Sequence, residues 1–175
     1  MHRNWVALIL FIVFIVEGTL VPWLIPVSWQ SNVQIVPHFT LVVVMYIAVY
    51  MNRHYGLAFG LVFGLLQDVM YMGHMLGVNA FAAGFAGYAV GLLFRRKPSS
   101  IVLMMFVCLL GNLLFDAVVY GTYWLFNVVR DPFGWAFMHH ILPSLFINLL
   151  FALLFYLPLR KLLDGSEAGR EEQSA

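Results

Sequence analysis

Residues 101–127 read IVLMMFVCLLGNLLFDAVVYGTYWLFN, with Asp116 as the only charged side chain. A transmembrane helix needs about 20 mostly apolar residues, so this stretch is long enough to cross a bilayer. The whole chain has the same character, since 63% of its residues are hydrophobic and 10% are charged. Soluble domains have roughly 45 to 50% apolar and 25% charged residues. We therefore predict an all-α integral membrane protein.

Five further apolar stretches lie between short polar connections. All six predicted spans together cover residues 5–27, 36–51, 55–72, 78–94, 101–127 and 141–159. We predict a six-helix transmembrane bundle over residues 1–163 and a disordered, polar cytoplasmic tail over residues 164–175. Because Glu17, Gly18, Thr19 and Pro22 interrupt the first span, its outer half is expected to be kinked or frayed.

Basic residues lie in alternate connections between the spans. With a cytoplasmic N-terminus, the inside segments hold eight lysines and arginines, and the outside loops hold only Arg130. Positive charge concentrates on the cytoplasmic side of membrane proteins, so both termini should be cytoplasmic. The cluster Arg95, Arg96 and Lys97 is expected to fix this topology and to contact anionic lipid, with docking of a cytoplasmic partner as the alternative. Nucleic acid is not expected as a partner.

Small residues recur along one face of the third and fourth spans. They are Gly56, Gly60 and Gly64 in the third span, and Ala80, Gly84, Gly87 and Gly91 in the fourth. Small residues at this spacing let two helix backbones approach closely in lipid. We therefore expect the two helices to pack in direct contact. The pattern indicates helix packing and does not indicate a function.

Three acidic residues lie inside the predicted spans: Glu17, Asp68 and Asp116. An ionisable group at mid-membrane costs about 2.5 kcal/mol or more and usually faces the bundle interior with a partner. A rise of about 1.5 Å per residue places all three in the outer half of the bilayer, where one cluster could hold them. Possible companions at that level are Asn79, His74, Asn112, His139, His140 and Asn148.

Three interpretations of these acids stay open. They could form a hydrogen-bonded core that fixes helix register, a site for a partner helix or peptide, or a site for an ion, proton or small molecule. Catalysis is not expected, since Asp116 follows Leu114-Phe115 where an intramembrane aspartyl protease has Tyr or Gly-x-Gly before the acid. His139 and His140 are adjacent and do not form the His-Glu-x-x-His zinc motif. We expect no metal and no cofactor.

Several short segments, in their order along the chain, resemble the rod shape-determining MreD family of bacterial membrane proteins. They are Pro37-His38-Phe39, Gly60 to Gly64, Leu65-Leu66-Gln67-Asp68, Leu76-Gly77-Val78 and Leu157-Pro158-Leu159-Arg160. The acids Glu17 and Asp116 agree with the same family. The resemblance implies a non-catalytic, multi-pass scaffold in the bacterial cytoplasmic membrane. Its implied role is in the cell-wall elongation complex, where it helps to maintain rod shape during side-wall peptidoglycan synthesis.

The resemblance also implies partners. Members associate with MreC, a single-span protein with an extracytoplasmic coiled coil. Directly or indirectly, they act with the actin-like MreB filament, the RodA glycosyltransferase and a class B penicillin-binding protein. The family is also similar to the substrate-binding components of energy-coupling-factor vitamin transporters, which are six-helix membrane bundles. A transporter subunit is therefore the alternative function, and it would need a roomy polar cavity where a scaffold needs an exposed lateral surface.

Overall fold

The computed structural model describes the backbone of residues 2–24, 36–70, 75–94, 98, 100–129 and 132–171, and the side chains of 5–19 and of the later ranges up to 163. Every regular element in these ranges is helical, which confirms the all-α prediction for them. The helices are α1 (His2–Leu24), α2 (Phe39–Tyr50), α3 (Arg53–Met70), α4 (Val78–Leu93), α5 (Ile101–Leu125), α6 (Phe133–Leu154) and α7 (Tyr156–Glu171).

The helices α1 to α5 correspond in position to the first five predicted spans. The sixth predicted span, 141–159, covers the second part of α6 and the first residues of α7. Within the described residues, α5 and α6 are long and apolar enough to cross a membrane. The helix α4, the helix α2 and the segment Trp5–Thr19 of α1 are apolar but shorter. The number of six spans and the cytoplasmic position of both termini therefore stay predictions.

The first helix continues through the residues at which the sequence predicted an interruption, and a kink in its outer half stays a prediction. It passes through Glu17 and Thr19 and ends at Leu24. The polar side chains are satisfied without breaking the helix, because the hydroxyl of Thr19 donates to the carbonyl of Ile15 and Glu17 is hydrogen-bonded to neighbouring helices. A hydrogen bond within the helix and tertiary hydrogen bonds thus accommodate the two polar side chains.

The sixth helix begins at Phe133, eight residues before the predicted start at residue 141. Its first half contains a π-helical segment, Phe137–Ile141, which precedes Pro143. A proline inside a helix lacks the N–H and crowds the preceding turn, and a wider turn accommodates it. Ser144 Oγ donates to the carbonyl of His140 at 2.7 Å and so supplies a partner within the interrupted turn.

The last helix runs past residue 163, the predicted end of the membrane domain, and the disorder of the tail stays a prediction. It extends to Glu171, through the first part of the segment 164–175 for which the sequence predicted a disordered tail. Residues 172–175 lie outside the described residues, as do the side chains beyond Leu163. The boundary of the membrane domain at residue 163 stays a prediction.

The helix α2 forms the centre of the bundle. Its residues from Thr40 to Tyr50 are all buried, and it contacts each of the other six helices. A helix that is apolar on every side has no face for solvent and is stable only when it is surrounded. The outer helices in turn carry large apolar side chains on their outward surfaces, such as Val62, Val102 and Phe146. This distribution suits a bundle whose surroundings are lipid.

The helices α3 and α4 are antiparallel and their backbones touch along the small residues. A Cβ atom added at Gly60 would lie 2.6 Å from the carbonyl oxygen of Ala83, and one added at Gly64 would lie 2.6 Å from Ala80 Cα. At the other end, a Cβ on Gly87 would lie 2.8 Å from the carbonyl oxygen of Gly56. No side chain larger than hydrogen fits at these positions unless the helices separate.

Candidate functional site

Glu17 connects three helices near the start of the central helix. Its Oε2 accepts hydrogen bonds from the backbone N and the Oγ1 of Thr40, both at 2.7 Å. Its Oε1 accepts from Gln67 Nε2 at 2.9 Å, and all three residues are buried. Thr40 lies in the first turn of α2, where backbone N–H groups have no intrahelical partner. Glu17 of α1 therefore caps α2 by accepting a backbone hydrogen bond from the first turn of that helix.

Asp68 of α3 caps the N-terminus of α4 in the same way. Its Oδ2 accepts from the backbone N of Gly77 at 2.9 Å and of Ala80 at 3.1 Å. Its Oδ1 accepts from the backbone N of Asn79 at 3.2 Å and from Asn79 Nδ2 at 3.0 Å. Gly77 precedes α4 with φ of 96°, a left-handed conformation that glycine adopts without strain. The buried carboxylate of α3 thus caps α4 across the connection between them.

A second network holds the segment that leads into α2. Asn148 Oδ1 accepts from the backbone N of His38 at 2.8 Å, and Asn148 Nδ2 donates to Asn112 Oδ1 at 2.8 Å. Ser144 Oγ accepts from the backbone N of Val36 at 3.0 Å. We call the residues that surround the start of α2 the polar collar: Glu17, Thr40, Gln67, Asn112, Ser144 and Asn148. Through them, α1, α3, α5 and α6 all fix where the central helix begins.

Asp116 stands apart from both networks. It is partly buried on α5, one turn from Asn112 of the collar. Within the described part of the chain its carboxylate has no hydrogen-bond partner. Among the described residues, Glu17 and Asp68 are connected only because Gln67, which donates to Glu17, directly precedes Asp68 on α3. No hydrogen bond links Asp116 to either acid.

The sequence profile of the family described as rod shape-determining protein MreD matches residues 2–165 of the chain. The chain belongs to the MreD family. This match confirms the resemblance inferred from the short segments, and it makes the chain a bacterial membrane protein with a role in rod cell shape. No curated protein and no solved structure gives a significant match to the chain.

The predicted companions of the acids take different places in this MreD chain. Asn79 binds Asp68, whereas Asn112 and Asn148 bind each other. His139 and His140 lie in the π-helical segment, where both rings contact the ring of Trp135. His74, Arg130 and the cluster Arg95, Arg96 and Lys97 lie outside the described residues.

Three members of the collar were not among the predicted site residues: Thr40, Gln67 and Ser144. A signal for the first two was present, since Thr40 follows Pro37-His38-Phe39 and Gln67 precedes Asp68 in the segments that resemble the family. Ser144 had a weaker signal, which is its position directly after Pro143. A polar residue beside a proline in an apolar helix can bind a carbonyl that the proline leaves free.

The collar has the chemistry of a structural site. The two buried carboxylates are occupied by donors from the same chain, and the amides of Asn112 and Asn148 are paired with each other. In the described ranges no group of three or more His, Cys, Asp or Glu residues could hold a metal ion. MreD proteins are shape-determining structural proteins and not a known enzyme family.

Proposed function

We propose that the chain is a non-catalytic scaffold of the cell-wall elongation complex, which binds MreC and helps to maintain rod shape during side-wall peptidoglycan synthesis. The observation that carries this proposal is the family match over residues 2–165. The proposed arrangement has six spans with both termini in the cytoplasm. RodA, a class B penicillin-binding protein and MreB are proposed as direct or indirect partners.

The architecture supports a scaffold in two ways. The polar collar and the caps on α2 and α4 use buried hydrogen bonds to fix helix positions, so the bundle presents a defined lateral surface. The described outer faces carry large apolar side chains that a partner helix in the membrane can pack against. A rigid bundle with an apolar exterior is what a membrane partner with a single span requires.

The alternative, a substrate-binding subunit of a vitamin transporter, has no support. Such a subunit needs room for its ligand within the bundle. Here the central space is filled by α2, whose residues from Thr40 to Tyr50 are buried against all six other helices. The family match concerns rod shape and gives no support to vitamin transport.

Affinity purification from native membranes tests the proposal. The tagged full chain is extracted in mild detergent and the co-purified MreC is quantified, with a tagged unrelated multi-span protein as control. We expect MreC to be enriched with this chain alone, and loss of the gene to convert rods to round cells. Equal recovery of MreC with the control, or rod growth without the gene, would contradict the proposal.

A further inference from the structure

Asp116 is the one acid in a described span whose carboxylate receives no hydrogen bond from the described residues. The helix α5 has 25 residues, and Asp116 lies three residues beyond its midpoint, Leu113, which is about 4.5 Å along the axis. The other two intramembrane acids, Glu17 and Asp68, each receive hydrogen bonds from neighbouring helices. A carboxylate near the centre of a bilayer is costly and normally has a partner. The described part of the bundle supplies none for Asp116.

The position of Asp116 on α5 shows where a partner would have to come from. Phe115 is buried in the core, whereas Ala117 and Gly121 are exposed. Asp116 therefore lies at the border between the buried face and the outward face of α5. A Cβ added at Gly121 would meet no described atom within 4 Å, so the space beside this face is open.

We propose that this outward face of α5 docks the transmembrane helix of a partner protein that carries an arginine or lysine near its midpoint, and that this cation pairs with Asp116. The inference rests on the proposed scaffold function and adds the surface and the chemistry of the contact. Charge complementarity selects a basic helix, because acyl chains at this depth offer no donor to a carboxylate. The small residues Ala117 and Gly121 lie one turn apart on the outward face and let a second backbone pack closely there. Asp116 lies about 100° round the helix from Ala117, at the border of this face, so a long arginine or lysine side chain is required to reach it.

A peptide assay tests the charge pairing. The purified full chain is placed in vesicles of phosphatidylcholine and phosphatidylglycerol with a labelled Leu-Ala transmembrane peptide of about 20 residues. Two peptides differ only in the central residue, arginine or leucine, and association is measured by energy transfer. We expect the arginine peptide to bind about tenfold more tightly, at the lower end of the coupling measured for close charge pairs. In Asp116→Ala this preference should disappear.

A second variant tests the docking face and leaves the carboxylate in place. Gly121→Leu fills the open space and should weaken the binding of both peptides, whereas Val62→Leu, on the exposed face of α3, should change neither. Helical circular dichroism and gel filtration verify that each variant is folded. Equal binding of the two peptides to the unaltered chain, or a preference that survives Asp116→Ala, would refute the pairing with Asp116. Unchanged binding by Gly121→Leu would refute the docking face.

The two proposals fail separately. Co-purification of MreC with the unaltered chain tests the scaffold function and does not involve the peptides. If MreC co-purifies and the peptides show no preference, only the inference about Asp116 is wrong. If MreC does not co-purify, the scaffold proposal is wrong, whatever the peptides do.

Discussion

Replacement of Asp68 gives the sharpest test of how the bundle is held together. Its carboxylate accepts four hydrogen bonds, three of them from backbone N–H groups at the start of α4. Asp68→Ala removes every one of these acceptors and leaves the donors at a helix N-terminus without a partner in the chain. Because no side chain within α4 caps this terminus, nothing local replaces the lost cap.

The magnitude follows from these contacts. Loss of an N-cap residue costs about 0.5 to 2 kcal/mol, and a donor left unsatisfied in a buried site costs about 1 to 3 kcal/mol. Only Ala80 among the donor residues is fully buried, so we count one cap and one buried donor. Asp68→Ala should therefore lower the free energy of unfolding by about 3 kcal/mol. Asp68→Asn keeps one acceptor oxygen but turns an amide N–H₂ towards two donors, so it should cost about half as much.

Unfolding in mixed micelles of dodecyl maltoside and sodium dodecyl sulfate measures these differences. Asp116→Ala is the matched control, since it makes the same chemical change at an intramembrane acid without hydrogen bonds in the described chain. It should not destabilise the protein. If Asp68→Ala unfolds at the same detergent ratio as the unaltered chain, the capping argument is wrong. If Asp68→Asn equals the unaltered chain, a single acceptor oxygen is sufficient and the second one contributes nothing.

Three further predictions concern topology, helix packing and the collar. A membrane-impermeant maleimide added to intact cells should label Val128→Cys and not Ser100→Cys, and the reverse pattern would contradict cytoplasmic termini. Gly64→Leu should lower the free energy of unfolding by about 3 kcal/mol or abolish folding, because its Cβ would lie 2.6 Å from the α4 backbone. Val62→Leu on the exposed face of the same helix should cost less than about 0.5 kcal/mol in the same micelle assay. Glu17→Ala should cost about 2 to 4 kcal/mol, since it removes the acceptor of three buried hydrogen bonds, and stability equal to that of the unaltered chain would show that the collar is dispensable.

The sequence predicts most of the helices because apolar length and the spacing of small residues are local properties. The predicted start of α6 at residue 141 was wrong, because Pro143 and the polar residues before it resemble the beginning of a helix. In the folded chain, the helix continues through Pro143, because a π-helical segment widens the preceding turn and the hydroxyl of Ser144 donates to a carbonyl of that turn. A local pattern does not contain that compensation.

The candidate site was less accessible from sequence. The three acids could be found by their charge, but their partners could not, since Thr40 and Gln67 lie 23 and 50 residues from Glu17 along the chain. The uniformly apolar pattern of α2 indicates burial on every side and gives no preferred neighbour. Which helices surround it, and hence which polar side chains meet at its start, depends on tertiary packing.

The unequal lengths of the helices have a consequence for the surrounding lipid. At about 1.5 Å per residue, the 25 residues of α5 reach about 37 Å and the 16 residues of α4 about 24 Å. The hydrocarbon core of a bilayer is about 30 Å thick. With α4 as a predicted span, lipid beside α4 meets an apolar edge that is too short and lipid beside α5 one that is too long. Deformation of the bilayer to match costs a fraction of a kcal/mol per Å. Hydrophobic mismatch thus gives the α4 side and the α5 side of the bundle different costs of bilayer deformation, which a protein that diffuses in the same membrane meets when it approaches either side.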